Sequence, residues 1–146
     1  MMRHPEQWDL VKNDFSLIPG LIDEAIRYIS PVRHFMRTVK EDTEIRGVPV
    51  KKDGRLMLLY PSANRDAEVF ENPDAFDPRR KPNPHLAFGF GPHMCIGQHV
   101  AKMELRILWE ELLPKLKSVA LAGDPGLAYT NWVGAHTSLP IRFEKA

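Results

Sequence analysis

Apolar residues recur at helical spacing in the first thirty residues of the chain. They predict a short helix over residues 5 to 14, which a proline opens. A stronger stripe predicts a second helix over residues 16 to 29, with Ser16 as its N-cap. Pro31 ends that helix, because the residue before a proline is pushed out of the helical region. The stripe consists of Leu17, Leu21, Ile22, Ala25, Ile26 and Ile29.

Residues 34 to 60 change to strand character. Residues 44 to 50 predict a β-hairpin, and Asp53-Gly54 predicts a turn. The apolar run that follows predicts a buried strand over residues 55 to 60.

Prolines dominate the next segment. Six of the chain's thirteen prolines fall between residues 61 and 92, and each fixes φ and removes a backbone donor. We therefore predict an irregular segment that runs to about Cys95. Long irregular segments inside compact domains are usually functional.

A long helix over residues 96 to 113 follows. Its pattern places Val100, Met103, Ile107 and Leu108 inside, with Lys102, Arg106 and Glu110 outside. The tail predicts two weak strands, over residues 128 to 133 and 139 to 143, joined by a turn at Gly134. The predicted fold is mainly α with small β-sheets, in the α+β class.

Composition limits the function classes. The 146 residues suit one domain, and the apolar share of 43% is ordinary for a globular protein. A net charge of +1 gives no case for binding nucleic acid or a membrane surface. The longest apolar run, residues 56 to 60, is far too short for a membrane span. A single cysteine excludes an internal disulfide, which favours a reducing, cytoplasmic setting.

That cysteine, Cys95, lies in a glycine-rich stretch of residues 88 to 97, which we call the cysteine loop, just before the long predicted helix. Glycines let the backbone approach a large flat ligand, and a thiolate gains from a helix N-terminus. Together these features indicate a haem with a thiolate ligand. Taken alone, the residues leave open a buried structural cysteine, or a catalytic thiolate activated by His93.

The cysteine loop resembles a known family signature. The haem-binding motif of cytochromes P-450, Phe-Gly-x-Gly-x-(His/Arg)-x-Cys-x-Gly, is matched at every fixed position by Phe88-Gly89-Phe90-Gly91-Pro92-His93-Met94-Cys95-Ile96-Gly97. The resemblance implies haem b with Cys95 as the iron ligand. It also implies the C-terminal portion of the cytochrome P-450 fold, in a soluble bacterial type of haem-thiolate monooxygenase.

A second motif precedes the loop in the same order as in the family. Glu24 and Arg27 are three residues apart on a predicted helix and can form an ion pair. In the family, a Glu-x-x-Arg helix pairs with an arginine from the meander, here the irregular chain of residues 61 to 87. The resemblance implies Arg80 as the third member of this structural clamp, with Arg79 as the alternative.

The resemblance also implies contacts to haem. Arg37, His85 and His93 stand where the family binds the propionates, Phe88 would pack on the ring near the sulfur, and Gly97 would bring backbone close to it. The alternative for Arg37 and the two histidines is an exposed polar residue.

The resemblance covers nearly the whole chain and implies that residues 1–146 are the haem-binding C-terminal part. The helix that carries the acid–threonine pair for proton delivery is not found here, so no catalytic residue is identified. We expect the chain alone to expose apolar surface and not to turn over substrate. The alternative is a non-catalytic haem binder or a truncated remnant; a third class is a thiol-dependent hydrolase or redox protein.

Partners follow from the same resemblance. It implies a ferredoxin-type electron donor with its reductase, which Lys102 and Arg106 on one helix face could meet. A merely solvated face is the alternative for these two cations. It also implies a lipophilic small-molecule substrate, reached by residues 32 to 36 and 132 to 136, with a terpenoid or steroid as the family-level expectation.

Overall fold

The computed structural model describes residue 2 and residues 4–146. This part of the chain forms helices and short two-stranded sheets. The α-helices are α1 (Pro5–Asn13), α2 (Ile18–Ile29), α3 (Tyr60–Ala63) and α4 (Gln98–Leu112). The strands are β1 (His34–Thr38), β2 (Thr43–Ile45), β3 (Val48–Val50), β4 (Arg55–Leu59), β5 (Leu116–Leu121), β6 (Gly126–Leu127), β7 (His136–Ser138) and β8 (Ile141–Lys145).

All the sheets are antiparallel pairs. β1 pairs with β4, β2 with β3, β5 with β8, and β6 with β7. In the first pair Arg37 lies opposite Leu56. The predicted α+β class is confirmed.

The core lies where α1 and α2 meet the C-terminal end of α4. Val11, Leu21 and Leu113 are at most 1% exposed. The rings of Trp8 and Trp109 meet edge to face with their centroids 6.4 Å apart, a geometry that favours aromatic pairs. α2 is therefore fixed against α4 by apolar packing.

α2 ends as predicted but begins differently. Ser30 adopts the left-handed conformation, with φ at 46°, directly before Pro31. Ser16 is not the N-cap: it lies in a 3₁₀ turn over Phe15–Leu17, and its amide donates to the side chain of Asp14. The capping acceptor is therefore the side chain of Asp14, two residues before the predicted cap.

The hairpin and the turn are confirmed, and the strand after them is partly wrong. The hairpin turn uses positive φ at Arg46 and Gly47, and the next turn uses it at Asp53. β4 is only half-buried, because alternate residues such as Met57 face outward. Tyr60 belongs to α3 and not to the strand.

The inward face predicted for the long helix is wrong. Val100, Met103, Ile107 and Leu108 are all between 48% and 53% exposed. Leu105 and Trp109 pack against the core instead. α4 is apolar on two faces, and α2 covers only one of them.

The tail prediction is also wrong in part. Residues 128 to 133 form no strand beyond an isolated bridge between Val32 and Val133. The second predicted strand is β8, and it pairs with β5, which the sequence reasoning missed. The alternation of buried and exposed residues in β5 (Leu116–Leu121) is short, and the strand follows the helical chain directly, so the pattern did not stand out as a strand.

Within residues 2 and 4–146, no helix combines the length and the apolar character that crossing a bilayer requires.

Gly20 generates a testable prediction, because α2 touches the meander there. An added Cβ would collide with the backbone carbonyl oxygen of Pro78, which cannot move as a flexible side chain can. Alanine gains about 1 kcal/mol over glycine in a free helix, but such overpacking costs about 1–3 kcal/mol. We expect Gly20→Ala to lower the free energy of unfolding, measured with urea. Gly123→Ala, where the Cβ would make ordinary contacts with Pro140, is the control and should be neutral; a stabilised Gly20→Ala variant contradicts the close approach.

Candidate functional site

A fully buried ion pair holds α2 to the meander. Arg27 Nε donates to Glu24 Oε2 and Nη2 donates to Oε1, each at 2.8 Å. Both side chains are 0% exposed. A buried charge is tolerated only when it is paired and hydrogen-bonded, and this bidentate geometry satisfies that requirement.

Arg27 also donates hydrogen bonds to backbone carbonyls of the meander, which have no partners in a sheet. Its Nη1 donates to the carbonyls of Asn64 and Pro73, both at 2.7 Å, and Nη2 donates to Ala75 at 2.9 Å. With the two bonds to Glu24, all five guanidinium N–H groups have an acceptor. The helix thus supplies hydrogen bonds that an irregular chain cannot form with itself.

Arg80, and not Arg79, is the third member. Arg80 Nε lies 3.2 Å from both carboxylate oxygens of Glu24, and its side chain is 10% exposed. Arg79 points outward and pairs with Asp77. The structure therefore brings together the three residues that the resemblance named.

Two asparagines complete this network, and the sequence reasoning missed both. Asn83 Nδ2 donates to Glu24 at 3.1 Å. Asn64 is fully buried; it donates to the hydroxyl of Ser30 and accepts from the amide of Leu86. No local pattern in the sequence points to either asparagine, because their partners lie far away along the chain.

The electrostatics of Glu24 follow from these contacts. Burial is the largest influence on its pKa and raises it. The hydrogen bonds from Arg27, the amide of Asp77 and Arg80 together lower the pKa below its usual value. Because the folded pKa is depressed, the carboxylate stabilises the fold at neutral pH, and this contribution is lost as the pH falls through that pKa.

The cysteine loop is a chain of tight turns. Gly89 and Gly91 have φ values of 77° and 65°, which side chains rarely adopt. The amide of Cys95 donates to Phe88 O at 2.8 Å. Gly97 is the N-cap of α4, so Cys95 lies just before the helix, exposed and free.

A cavity of about 940 Å³ lies between the cysteine loop and the β1–β4 sheet. Arg37 and His93 both line it, together with apolar residues of the sheet and with Gly89 and Phe90 of the loop. Among the described residues, Arg37 pairs with no carboxylate, and its guanidinium donates to the neighbouring carbonyl of Met36. The cavity therefore offers a cation to a ligand. Cys95 is not among the lining residues, although its loop forms one wall.

His85 does not line this cavity, and its contact with haem stays a prediction. Its side chain is only 6% exposed, and its Nε2 lies 3.5 Å from Asp23 Oδ1 on α2. Phe88 is not among the lining residues either; its ring lies beside His85 and the core, and its packing on haem also stays a prediction. The pull of a carboxylate on α2 decides this placement, and sequence spacing does not reveal it.

Lys102 was predicted to face outward, and this is wrong. Its Nζ lies 2.7 Å from Asp23 Oδ1, whereas Arg106 pairs with Glu110 on the outer surface.

Residues 32 to 36 and 132 to 136, the two segments expected to reach a substrate, lie side by side. The amide of Arg33 donates to Trp132 O at 2.8 Å, and that of Gly134 donates to Pro31 O at 2.7 Å. The rings of Phe35 and Trp132 meet edge to face. Both rings remain half-exposed, which leaves an apolar surface.

The clamp yields a prediction that compares neighbouring arginines. Arg80→Gln removes a nearly buried cation from Glu24 and should lower the free energy of unfolding by about 2–4 kcal/mol. Arg79→Gln removes an exposed pair and should cost less than about 1 kcal/mol. Urea unfolding of both variants measures the difference. Equal losses would contradict the clamp.

Comparisons with known proteins agree with this geometry. The family model described as Cytochrome P450 matches residues 4–135. Cytochrome P450-terp of a Pseudomonas species is 60% identical over 146 residues, which are 100% of this chain and 34% of that protein. A steroid C26-monooxygenase of Mycolicibacterium smegmatis is 41% identical over 98% of this chain and 36% of its own length.

A solved structure gives the same answer. The crystal structure of CYP108D1 from Novosphingobium aromaticivorans superposes with a TM-score of 0.92 at 45% identity, covering 99% of this chain and 35% of that one. The chain thus spans about a third of the length of the relatives that it matches. Because the family model covers most of the residues and the fold agrees, the chain belongs to the cytochrome P450 family.

Proposed function

We propose that this chain forms the haem-binding part of a cytochrome P450 monooxygenase, with Cys95 as the thiolate ligand of haem b. The observation that carries the proposal is the cavity beside the cysteine loop, which Arg37 and His93 line. Members of the family bind haem b through a cysteine thiolate. The proposal extends that property to this chain.

The residues present fit such a group. A Cβ placed on Gly91 would meet nothing within 4 Å, and one on Gly97 would lie 3.9 Å from Cys95 Sγ. The backbone therefore leaves open space beside the loop and close to the sulfur. A flat macrocycle needs such close approach, and its two propionates need cationic partners.

Each predicted haem contact has a separate role in this proposal. Cys95 would bind iron, Arg37, His93 and His85 would bind the propionates, and Gly97 would keep space beside the sulfur. Phe88 would pack on the haem ring near the sulfur, and its carbonyl accepts the amide of Cys95. Haem bound there would supply the redox chemistry by which the family inserts one atom of O2 into a substrate.

The reaction as a whole is proposed for a larger assembly. The helix that carries the family's acid–threonine pair is not found in the sequence, because Asp42-Thr43 lies at the start of a β-strand. The chain aligns with about a third of the length of its relatives. We propose that residues 1–146 supply the C-terminal, haem-binding wall, and that the distal proton-delivering helix comes from the rest of the family fold. The exposed apolar face of α4, with Met103 and Ile107, would pack against that remainder.

The proposed substrate is a lipophilic small molecule. Support comes from the half-exposed rings of Phe35 and Trp132, which form an apolar surface where two chain segments meet. One relative is named a steroid C26-monooxygenase. We propose a substrate of terpenoid or steroid character.

The proposed electron donor is a ferredoxin-type protein with its reductase. Arg106 is half-exposed on α4, one turn beyond Lys102, and could meet an acidic protein. Lys102 is engaged with Asp23, so Arg106 is the cation of this pair that the proposed interface uses. A reducing, cytoplasmic setting suits a single cysteine that must remain a free thiolate.

Haem titration tests the central proposal. We expect the chain to take up haem stoichiometrically, and the reduced carbon monoxide complex to show the red-shifted Soret band of thiolate ligation. Cys95→Ala should abolish that band, whereas Arg37→Gln should weaken haem affinity about tenfold and leave the band in place. Failure to bind haem, or a spectrum unchanged by Cys95→Ala, would overturn the proposal and favour a remnant.

Turnover is tested separately. With haem, ferredoxin, reductase and a panel of terpenoids and steroids, we expect no O2-dependent product from the chain alone, because the proton-delivery residues are lacking. A full-length family member under the same conditions is the positive control. Product formation that disappears in Cys95→Ala would show that the chain is a complete enzyme.

A further inference from the structure

We propose that Asp23 is a positioning residue for the cysteine loop: through His85 and Lys102 it fixes Phe88, and through Phe88 it fixes Cys95. The inference deepens the proposed function and rests on it for the role of Cys95. It concerns contacts that are separate from the clamp at Glu24.

One carboxylate oxygen of Asp23 contacts a residue on each side of the cysteine loop. Lys102 Nζ lies 2.7 Å from Oδ1 and His85 Nε2 lies 3.5 Å from the same atom. His85 precedes Cys95 by ten residues and Lys102 follows it by seven. The entry and the exit of the loop therefore meet at a single atom of α2.

Both partners of Asp23 contact the ring of Phe88. Lys102 Nζ lies 5.7 Å from the ring centroid, within the range of a cation–π interaction. The imidazole of His85 lies 6.0 Å away at an interplanar angle of 49°. Phe88 is thus held by two groups that one carboxylate orients.

Phe88 transmits this position to the sulfur. Its carbonyl oxygen accepts the amide of Cys95 at 2.8 Å, which closes the loop on itself. A shift of the Phe88 ring moves the same residue's carbonyl and thereby the backbone that presents the thiol. Asp23 touches neither Cys95 nor the cavity, so its effect is indirect.

Charged and hydrogen-bonding neighbours favour the ionised form of Asp23. His85 is 6% exposed, and Asp23 and Lys102 are each about one-third exposed. The hydrogen bond from His85 is the largest influence on the pKa of Asp23 and lowers it; burial acts in the opposite direction, and Lys102 lowers the pKa further. The ionised carboxylate is therefore the form that this arrangement stabilises.

The neighbouring residues Asp23 and Glu24 divide the scaffold between them. Glu24 binds the meander through Arg80, while Asp23 binds the two residues that flank the cysteine loop, His85 and Lys102. Successive helix residues point about 100° apart, so one turn of α2 can serve both. This division explains why the two acidic residues are adjacent.

Amide hydrogen exchange of the complete 146-residue chain tests the inference without haem. Asp23→Asn keeps the shape and removes the charge. We expect exchange of the Cys95 amide to rise about tenfold, the effect of losing one charged hydrogen bond. Amides of the β5–β8 ladder should keep their rates. Asp23→Glu should restore most of the protection, and Lys102→Met should reproduce part of the loss.

Arg106→Met is the matched control, since it removes a cation one turn along α4 and should leave the Cys95 amide unchanged. Equal acceleration in the β5–β8 ladder and at Cys95 would mean that Asp23 acts on global stability only, which overturns the proposal. An unchanged Cys95 amide in Asp23→Asn overturns it too.

Spectra of the haem complex separate this inference from the proposed function. In Asp23→Asn we expect haem to bind and the thiolate Soret band to lose intensity to the neutral-ligand position, with recovery in Asp23→Glu. If the unsubstituted chain binds no haem, the proposed function fails, while the hydrogen-exchange result still decides the positioning role.

Discussion

The carboxylate of Glu24 has no contact with solvent, and the irregular part of the structure is organised around it. It accepts hydrogen bonds from Arg27 and Arg80, from the amide of Asp77 and from Asn83. A charge in this environment is strongly unfavourable unless all these partners are in place. Separation of the meander from α2 would therefore leave this buried charge without several of its partners.

This constraint explains why an arginine stands at position 27. The meander lacks sheet partners because its prolines remove backbone donors, so its carbonyls need donors from elsewhere. The fork of five N–H groups reaches Glu24 and three carbonyl oxygens at once. A lysine has three donors on a flexible stem and cannot cover that set.

Local patterns in the sequence predicted the elements whose causes are local. The hairpin at residues 44 to 50, the end of α2 and the turns of the cysteine loop depend on glycine, proline and nearest neighbours. The Glu24, Arg27 and Arg80 cluster was reached through family resemblance, since a spacing of three on a helix is common by itself. The contact of His85 with Asp23 was not predicted, because the two residues lie 62 positions apart in sequence and no local signal links them.

The error at α4 has a different physical origin. Its apolar residues lie on two faces. Hydrophobic periodicity identified Val100 and Ile107, which remain half-exposed here, while Leu105 and Trp109 pack against the core. A helix that is apolar around most of its circumference is characteristic of a buried position. The pattern therefore supports the proposal that a further part of the family fold covers α4; the relatives that the chain matches are about three times as long. The cysteine loop at its N-terminus would then lie between α2, which holds it through Asp23, and a second layer that covers the other face of α4.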